Sequence, residues 1–241
     1  MNQQHEQTAH SRTAFSGSPE AAGKPIPLTA RLFAMSALEA APRLLGQTLV
    51  RLTEDGEIRC RIVETESYGG AEDKGSHAYD NRRTARTETM FQPGGCAYVY
   101  LIYGMYHCLN VVTGAEDDPQ AVLIRAVEPL TDRDAALMAS YKGGAPKRPY
   151  ELSGGPGRLC KALRIDKSLN GISLGNPSGP LWLKAAPPSA PDFGIMHGPR
   201  INIDYAEEYA SKPWRFVIEN HAYNSARKAP LEWYCRYEQL V

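Results

Sequence analysis

Two carboxylates and a phenol alternate along one short segment that is otherwise largely apolar. The segment reads RIVETESYGG and covers residues 61–70. If it forms a β-strand, Glu64, Glu66 and Tyr68 share one face, because successive side chains alternate across a strand. Ile62 belongs to the same alternation. Two carboxylates and a tyrosine on one face are unusual for a strand that begins with apolar residues, but an edge strand with a solvated acidic face would have the same pattern.

A long polar segment follows this strand and has a single histidine near its middle. It reads EDKGSHAYDNRRTARTETMF, and it contains Asp73 and His77. Together with Glu66 and Tyr68, these residues predict a polar pocket. Carboxylates and histidine also ligate divalent ions, but the chain has no HExxH-like or paired-histidine spacing. A metal site therefore stays an alternative, and the favoured interpretation has neither metal nor cofactor.

The segment YVYLIYGMYHCLN predicts a β-hairpin with an apolar tip. Tyr98 and Tyr100 alternate onto one face of the first strand, and Gly104 permits a turn. Tyr103, Met105 and Tyr106 then lie near the tip, where their own domain cannot bury them. A large apolar wedge on a hairpin is suited to insertion between stacked bases in the minor groove of DNA.

The remaining elements predict an α+β fold. A helix is expected from the N-cap Ser36 to Gly46, with Pro42 kinking or shortening it. Two more helices are expected, one over residues 132–141 ending at Gly143 and one opening at GGPGR. The expected strands read TLVRL, IRCRIVETESY, AYVYLIYGMYHCLNVVT, QAVLIRAVEPL, LWLKA and WRFVIEN, and the last of these is expected to close the domain.

These elements predict a mixed, mainly antiparallel curved sheet with packed helices and a protruding β-hairpin. Residues 28–241 are expected to form a single domain. Residues 1–27 are rich in Gln, Ser, Ala and Gly and lack apolar periodicity, so a disordered N-terminal tail is expected there.

Composition limits the function only loosely. Lys and Arg number 27, as do Asp and Glu, so the net charge gives no support to nucleic-acid binding. A short basic cluster, Arg82, Arg83 and Arg86, is interpreted as a solvated face.

The five cysteines have no CxxC spacing and indicate reduced thiols. No apolar stretch is long enough for a membrane span, so we expect a cytoplasmic location. We also expect the protein to be monomeric.

Several of these motifs occur in series in one known family. ARLFAMSALEAAPRLLGQTLVR, IVETESYGGAEDKGSHA, RTARTETMF, YVYLIYGMYHCLNVV, AVLIRAVEPL and GGPGRLCKALRI resemble the alkyladenine DNA glycosylases, the mammalian-type 3-methyladenine DNA glycosylases. The resemblance runs from about residue 28 to about residue 216 with order and spacing kept. It implies a single-domain α+β enzyme without metal or cofactor, which removes alkylated or deaminated purines from double-stranded DNA during base excision repair.

The resemblance also implies roles for individual pocket residues. Glu66 matches the general base of the family. Tyr68, His77 and Tyr100 match the groups that sandwich or contact the flipped base. Asn110 matches the asparagine at the pocket floor, whose amide is thought to clash with the 2-amino group of normal guanine.

The resemblance also implies roles for residues of the hairpin and of the strand that carries Arg125. Tyr103 matches the tyrosine that enters the minor groove and replaces the extruded nucleotide, with Met105 and Tyr106 beside it. Arg125 matches an arginine near the pocket and the DNA backbone. Ser67 is a departure, since the family often has alanine there.

Glycosidic cleavage develops positive charge on the sugar, so a carboxylate such as Glu66 can stabilise this charge and orient the attacking water. No lysine falls among the matched pocket positions, so no Schiff-base lyase step is expected. Two other functions fit the residues alone. One is a non-catalytic module that binds damaged DNA, and the other is a metal-dependent hydrolase that uses Glu64, Glu66, Asp73 and His77.

Overall fold

The structure is a computed structural model that describes residues 28–187, 190–225 and 230–240. The predicted tail over residues 1–27 lies outside the described residues. Five α-helices occur in the described part of the chain: α1 (Leu28–Ala34), α2 (Ala37–Leu44), α3 (Asp132–Lys142), α4 (Pro149–Ser153) and α5 (Pro156–Ala162). None of the described helices is long and apolar enough to cross a membrane.

The ends of the helices follow from local chemistry. Ser36 caps α2 as predicted, and its hydroxyl accepts a hydrogen bond from the Glu39 amide while the Glu39 carboxylate accepts one from the Ser36 amide. Pro42 lies inside this helix, which ends after only eight residues. Gly143 ends α3 in the left-handed conformation, with φ at 93°. Helices α1 and α4 were not predicted from the sequence.

Nine strands form one sheet in the described part of the chain. They are β1 (Thr48–Thr53), β2 (Gly56–Tyr68), β3 (Ala97–Ile102), β4 (Tyr106–Thr113), β5 (Gln120–Pro129), β6 (Leu181–Lys184), β7 (Gly194–Gly198), β8 (Arg215–Ile218) and β9 (Glu232–Arg236). The order is β3-β4-β5-β2-β8-β7-β9, with β1 joining β2 to β6. Every pairing between these strands is antiparallel. The α+β class is confirmed, but β9 follows the strand that was expected to close the domain.

Strand β2 is central, so the interpretation of an edge strand with a solvated acidic face is wrong. It pairs with β5 along one side and with β1 and then β8 along the other. Glu64 and Glu66 are fully buried. The pairing register shifts between Ile62 and Thr65, and Ile62 and Val63 both belong to the apolar core. This irregularity interrupts the predicted alternation, because a bulge re-aims the side chains that follow it.

The two faces of the sheet have different roles. One face packs against the helices in a large core that includes Leu44 of α2, Met138 of α3 and Leu159 of α5. The other face carries a small apolar cluster under the polar segment: Ala78, Met90, Phe91, Tyr98, Val112 and Ala121. All five cysteines are free, and three of them are buried.

Candidate active site

A cavity of about 360 Å³ opens on the sheet face opposite the main core. Three neighbouring strands present every second residue to it: Tyr98 and Tyr100 from β3, Cys108 and Asn110 from β4, and Ala121, Leu123 and Arg125 from β5. The intervening residues, such as Val99, Leu109 and Ile124, are buried in the main core. The period of two in these strands therefore separates the lining of the cavity from the support of the fold. The volume lies within the range of small-molecule pockets.

Glu66 lies directly behind the wall of this cavity. Its Oε2 accepts hydrogen bonds from Tyr68 Oη at 3.0 Å and from Arg125 Nη1 at 3.2 Å. Its Oε1 accepts one from the backbone amide of Ile201 at 2.8 Å. All three donor residues line the cavity. The carboxylate is thereby fixed in one orientation.

Tyr68 remains a phenol in this environment. Burial, and then the neighbouring carboxylate of Glu66, raise the pKa of Tyr68 well above its usual value. Its hydroxyl consequently keeps its proton and donates a hydrogen bond to the carboxylate of Glu66. Burial opposes the charge of Arg125, but Glu66 and Glu64 outweigh that effect and raise the pKa of the guanidinium.

A second buried carboxylate holds the arginine from behind. Glu64 Oε1 accepts a hydrogen bond from Arg125 Nε at 3.1 Å, and the Ser225 amide donates to Glu64 Oε2 at 2.6 Å. Arg215 Nη1 lies 3.8 Å from the same carboxylate, and this side chain is fully buried. Within the described ranges, no guanidinium nitrogen of Arg215 has a hydrogen-bond partner. Arg215 thus contributes charge to the cluster rather than a directed bond.

Aromatic side chains form the opposite wall. The rings of His77 and Tyr100 meet edge to face with centroids 4.5 Å apart, and the rings of Tyr98 and Tyr100 lie 5.2 Å apart. The guanidinium of Arg86 lies 5.0 Å from the centroid of the Tyr100 ring. Burial, and then the charge of Arg86, lower the pKa of His77 to about 4. The imidazole is therefore neutral near pH 7, and a flat apolar ligand can stack in this wall.

The predicted hairpin is confirmed, and its tip lies at the mouth of the cavity. Ile102 pairs with Tyr106, and the turn between them has positive φ at Tyr103 (52°) and Gly104 (69°). The side chains of Tyr103 and Met105 are 72% and 66% exposed, and that of Tyr106 is 48% exposed. Tyr103, Tyr106 and Tyr205 all line the cavity. An apolar rim of this kind is typical of a surface that meets a partner.

The polar segment that carries His77 is anchored from outside the cavity. Asp73 accepts two hydrogen bonds from Arg200, at 2.5 and 2.7 Å, and both side chains are fully buried. The guanidinium also lies 4.7 Å from the ring centroid of Tyr68 and 5.0 Å from that of Trp214. Arg200 therefore ties the start of the polar segment to the loop before β8.

Comparison with known proteins identifies the family of this chain. The sequence model of the family described as methylpurine-DNA glycosylase matches residues 31–222. The chain belongs to this family. A relative from Natranaerobius thermophilus is 46% identical over 193 residues, which are 80% of this chain and 96% of the relative. One from Bacillus cereus is 47% identical over 195 residues, 79% of this chain and 94% of the relative. Both carry the provisional name 3-methyladenine DNA glycosylase.

Membership in the methylpurine-DNA glycosylase family confirms the resemblance found in the sequence. It supports a DNA glycosylase that acts in DNA repair, with DNA as the substrate. The structure brings the predicted base-pocket residues Tyr68, His77, Tyr100 and Asn110 to one cavity, together with Arg125. Their individual roles are taken up as proposals below.

The residues of the alternative metal site, Glu64, Glu66, Asp73 and His77, do not form a group of metal ligands. Glu64 is bonded to Arg125 and Ser225, Asp73 to Arg200, and His77 to Tyr98. Across the described ranges, no three His, Cys, Asp or Glu side chains form a group that could hold a metal ion.

Several residues of this candidate site were not predicted from the sequence. Arg200 and the Ile201 amide come from a loop without any local motif. Tyr205 lies in a 3₁₀ turn over Asp204–Tyr209 that gave no sequence signal. Tyr98 could have been found, because it shares a strand face with Tyr100. For the basic cluster of Arg82, Arg83 and Arg86, the predicted solvated face is confirmed at Arg83, which is exposed and pairs with Glu88 and Asp117.

Proposed function

We propose that this protein is a monofunctional DNA glycosylase that hydrolyses the N-glycosidic bond of alkylated or deaminated purines. The observation that carries the proposal is the carboxylate of Glu66, held by three donors that all belong to the cavity wall. A carboxylate fixed beside an aromatic cavity is the arrangement that water activation at a sugar carbon requires. The substrate class would include 3-methyladenine, 7-methylguanine, hypoxanthine and ethenoadenine.

In the proposed reaction the bond between C1′ and the purine nitrogen breaks, and its electron pair stays with the purine. The positive charge that develops on the sugar is stabilised by the carboxylate of Glu66. Water attacks C1′ and transfers a proton to Glu66. Tyr68 and Arg125 keep the carboxylate in position, because each donates to the same oxygen.

The target base must leave the duplex to reach this cavity. We propose that Tyr103 takes its place between the neighbouring bases, with Met105 and Tyr106 beside it. This role is supported by their exposure and by their position at the cavity mouth. Tyr68, His77 and Tyr100 would then stack on or contact the flipped base.

Hydrolysis without strand cleavage is the expected chemistry. A lyase step needs an amine that forms a Schiff base with C1′. Among the described residues that line the cavity, none is a lysine. Water activated by Glu66 would therefore leave an intact abasic strand.

The first test uses duplex oligonucleotides, each with one ethenoadenine, hypoxanthine or 3-methyladenine. The wild type and Glu66→Gln are incubated with each duplex in EDTA, and alkali then cleaves at abasic sites. We expect alkali-dependent breaks with the wild type and a rate lower by roughly 10²- to 10⁴-fold with Glu66→Gln. Glu66→Gln should still bind each duplex in a gel-shift assay.

Other outcomes would point elsewhere. Binding without breaks in the wild type would favour a non-catalytic module that recognises damaged DNA. Breaks that vanish in EDTA would favour a metal-dependent hydrolase. Undiminished excision by Glu66→Gln would move the general base to another residue, with Glu64 as the nearest candidate.

A further inference from the structure

A line of polar contacts runs from the surface into the cavity wall through three side chains. Arg86 Nη2 lies 3.4 Å from His77 Nε2, and His77 Nδ1 lies 3.0 Å from Tyr98 Oη. Arg86 is exposed, whereas Tyr98 is only 2% exposed. Tyr98 and His77 both line the cavity. The mechanism proposed above uses neither Arg86 nor the Tyr98 hydroxyl.

The arginine fixes the direction of these contacts. A guanidinium has only donors, so the Nε2 that faces Arg86 must offer its lone pair. In a neutral imidazole the proton then lies on Nδ1. The low pKa of His77, which burial and Arg86 bring to about 4, agrees with the neutral ring. His77 Nδ1 therefore donates, and Tyr98 Oη accepts.

This direction leaves the proton of Tyr98 without a protein partner. The hydroxyl receives a hydrogen bond from His77. Neither the Nδ1–H of His77 nor the nearby guanidinium of Arg86, whose charge lowers the pKa of Tyr98, can accept a hydrogen bond in return. Within the described ranges, no acceptor for the Tyr98 proton occurs. Burial raises the pKa of Tyr98 to about 12, although the charge of Arg86 opposes this effect, so the group keeps its proton near pH 7. A buried donor without a partner, in the wall of a cavity, needs an acceptor from a ligand.

We propose that Tyr98 donates a hydrogen bond from Oη to the purine in the cavity, with Arg86 and His77 as the positioning residues that orient this donor. The proposal deepens the proposed glycosylase function and rests on it. As the glycosidic bond breaks, its electron pair moves onto the purine, and the hydrogen bond from Tyr98 stabilises the charge that develops there. The proton stays on Tyr98, so no further proton acceptor is needed. Successive hydrogen bonds polarise one another, and the cation at the outer end strengthens the donor at the inner end.

The charge state of the lesion provides the test. Hypoxanthine is neutral in DNA, so negative charge develops on it as it leaves, and its excision should depend on the hydrogen bond from Tyr98 that stabilises this charge. The ring of 7-methylguanine already carries positive charge in DNA, so it leaves as a neutral base and gains little from a donor. A merely structural role of Tyr98 would affect both lesions alike.

The experiment measures single-turnover release of each base, with enzyme in excess over a duplex that contains one hypoxanthine or one 7-methylguanine. We expect Tyr98→Phe to slow the release of hypoxanthine by about 10- to 100-fold and that of 7-methylguanine by less than about threefold. Arg86→Met should produce a smaller loss for hypoxanthine alone. In the Tyr98→Phe background, Arg86→Met should cause no further loss, because its effect passes through the missing hydroxyl.

Arg83→Met is the matched control. Arg83 lies three residues away in the same segment, is exposed, and pairs with Glu88 and Asp117 outside the cavity. We expect this variant to release both bases at the wild-type rate.

Two results would overturn the proposal. Equal losses for both lesions in Tyr98→Phe would show a structural role, and an unchanged rate for hypoxanthine would place the donor elsewhere. Failure of the glycosylase function itself looks different, because the wild type would then release neither base.

Discussion

Arg125 Nη1 lies 3.2 Å from Glu66 Oε2, and both side chains are buried. The same guanidinium binds Glu64, so one cation holds two carboxylates inside the sheet. Removing one member of such a group leaves a buried charge without compensation.

We expect Arg125→Leu to lower the free energy of unfolding by roughly 3–5 kcal/mol. Urea unfolding of the wild type and the variant measures this change. The double variant Glu66→Gln/Arg125→Leu should recover part of the loss, because Arg125 is the only salt-bridge partner of Glu66 within the described ranges, whereas Glu64 keeps Arg215 Nη1 at 3.8 Å. A urea midpoint equal to that of the wild type would show that Arg125 does not stabilise the buried carboxylates.

The hairpin tip should contribute to DNA affinity without contributing to stability. The φ of 52° at Tyr103 is costly for a side chain with a Cβ, and the ring is 72% exposed. We expect Tyr103→Gly to leave the free energy of unfolding unchanged or to raise it by up to about 1 kcal/mol. Binding to a lesion-containing duplex should weaken by about 1–3 kcal/mol, the usual value of a base–aromatic stack.

Leu101→Ala is the control for Tyr103→Gly. Leu101 is 45% exposed on the same hairpin, but it lies in β3, before the Ile102–Tyr106 pair that closes the turn, and it does not line the cavity. Its replacement should leave DNA affinity unchanged. If both variants bind the duplex equally well, the tip is not an intercalating element.

Discrimination against normal guanine should depend on Asn110. This side chain is 3% exposed, and its amide nitrogen donates to the Tyr98 carbonyl at 3.0 Å, so the group cannot move away from a guanine 2-amino group. We expect Asn110→Ser to raise the excision of guanine relative to hypoxanthine by roughly 10- to 100-fold. The ratio is measured in duplexes that differ only at the target base. An unchanged ratio would contradict the role.

Acid should destabilise the protein in part through His77. Its pKa is about 4 in the folded chain against 6.5 for a free imidazole, so the unfolded chain binds the proton more readily. The stability that the neutral ring provides is complete above about pH 6.5 and is lost as the pH falls towards 4. Because the ring is partly exposed, we expect a loss of no more than about 2 kcal/mol.

The measurement is urea unfolding between pH 7.5 and pH 4.5, compared with His77→Gln. The variant should lose less stability over this range than the wild type, because it lacks the titrating ring. Equal slopes for the two proteins would show that His77 does not titrate with a lowered pKa.

The features that could be predicted from the sequence are those determined by short stretches of chain. The hairpin depends on Gly104 and alternating aromatic residues, and the start of α2 depends on Ser36 and Glu39. The cavity lining could be predicted in part, because a period of two places Tyr98 and Tyr100 on one face. The remaining lining followed from the family resemblance rather than from physical reasoning.

The features that could not be predicted arise from tertiary contacts. The interruption in β2 depends on its pairing with β5 and β8, so the burial of Glu64 and Glu66 was invisible in their own segment. The Ile201 amide reaches Glu66 across 135 positions in the chain. Strand β9 was not predicted. Its residues are mostly exposed, so its sequence shows only a weak alternation of apolar and polar side chains.

The ion pair between Asp73 and Arg200 links two distant parts of the chain behind the cavity wall. Arg200 packs on Tyr68 and Trp214, and it also donates to the Ser67 carbonyl at 2.9 Å. Substitutions at these positions would shift the walls of the cavity without contacting the base. During evolution, Asp73 and Arg200 are therefore expected to change together or not at all, and a new substrate range could originate from this support rather than from the lining.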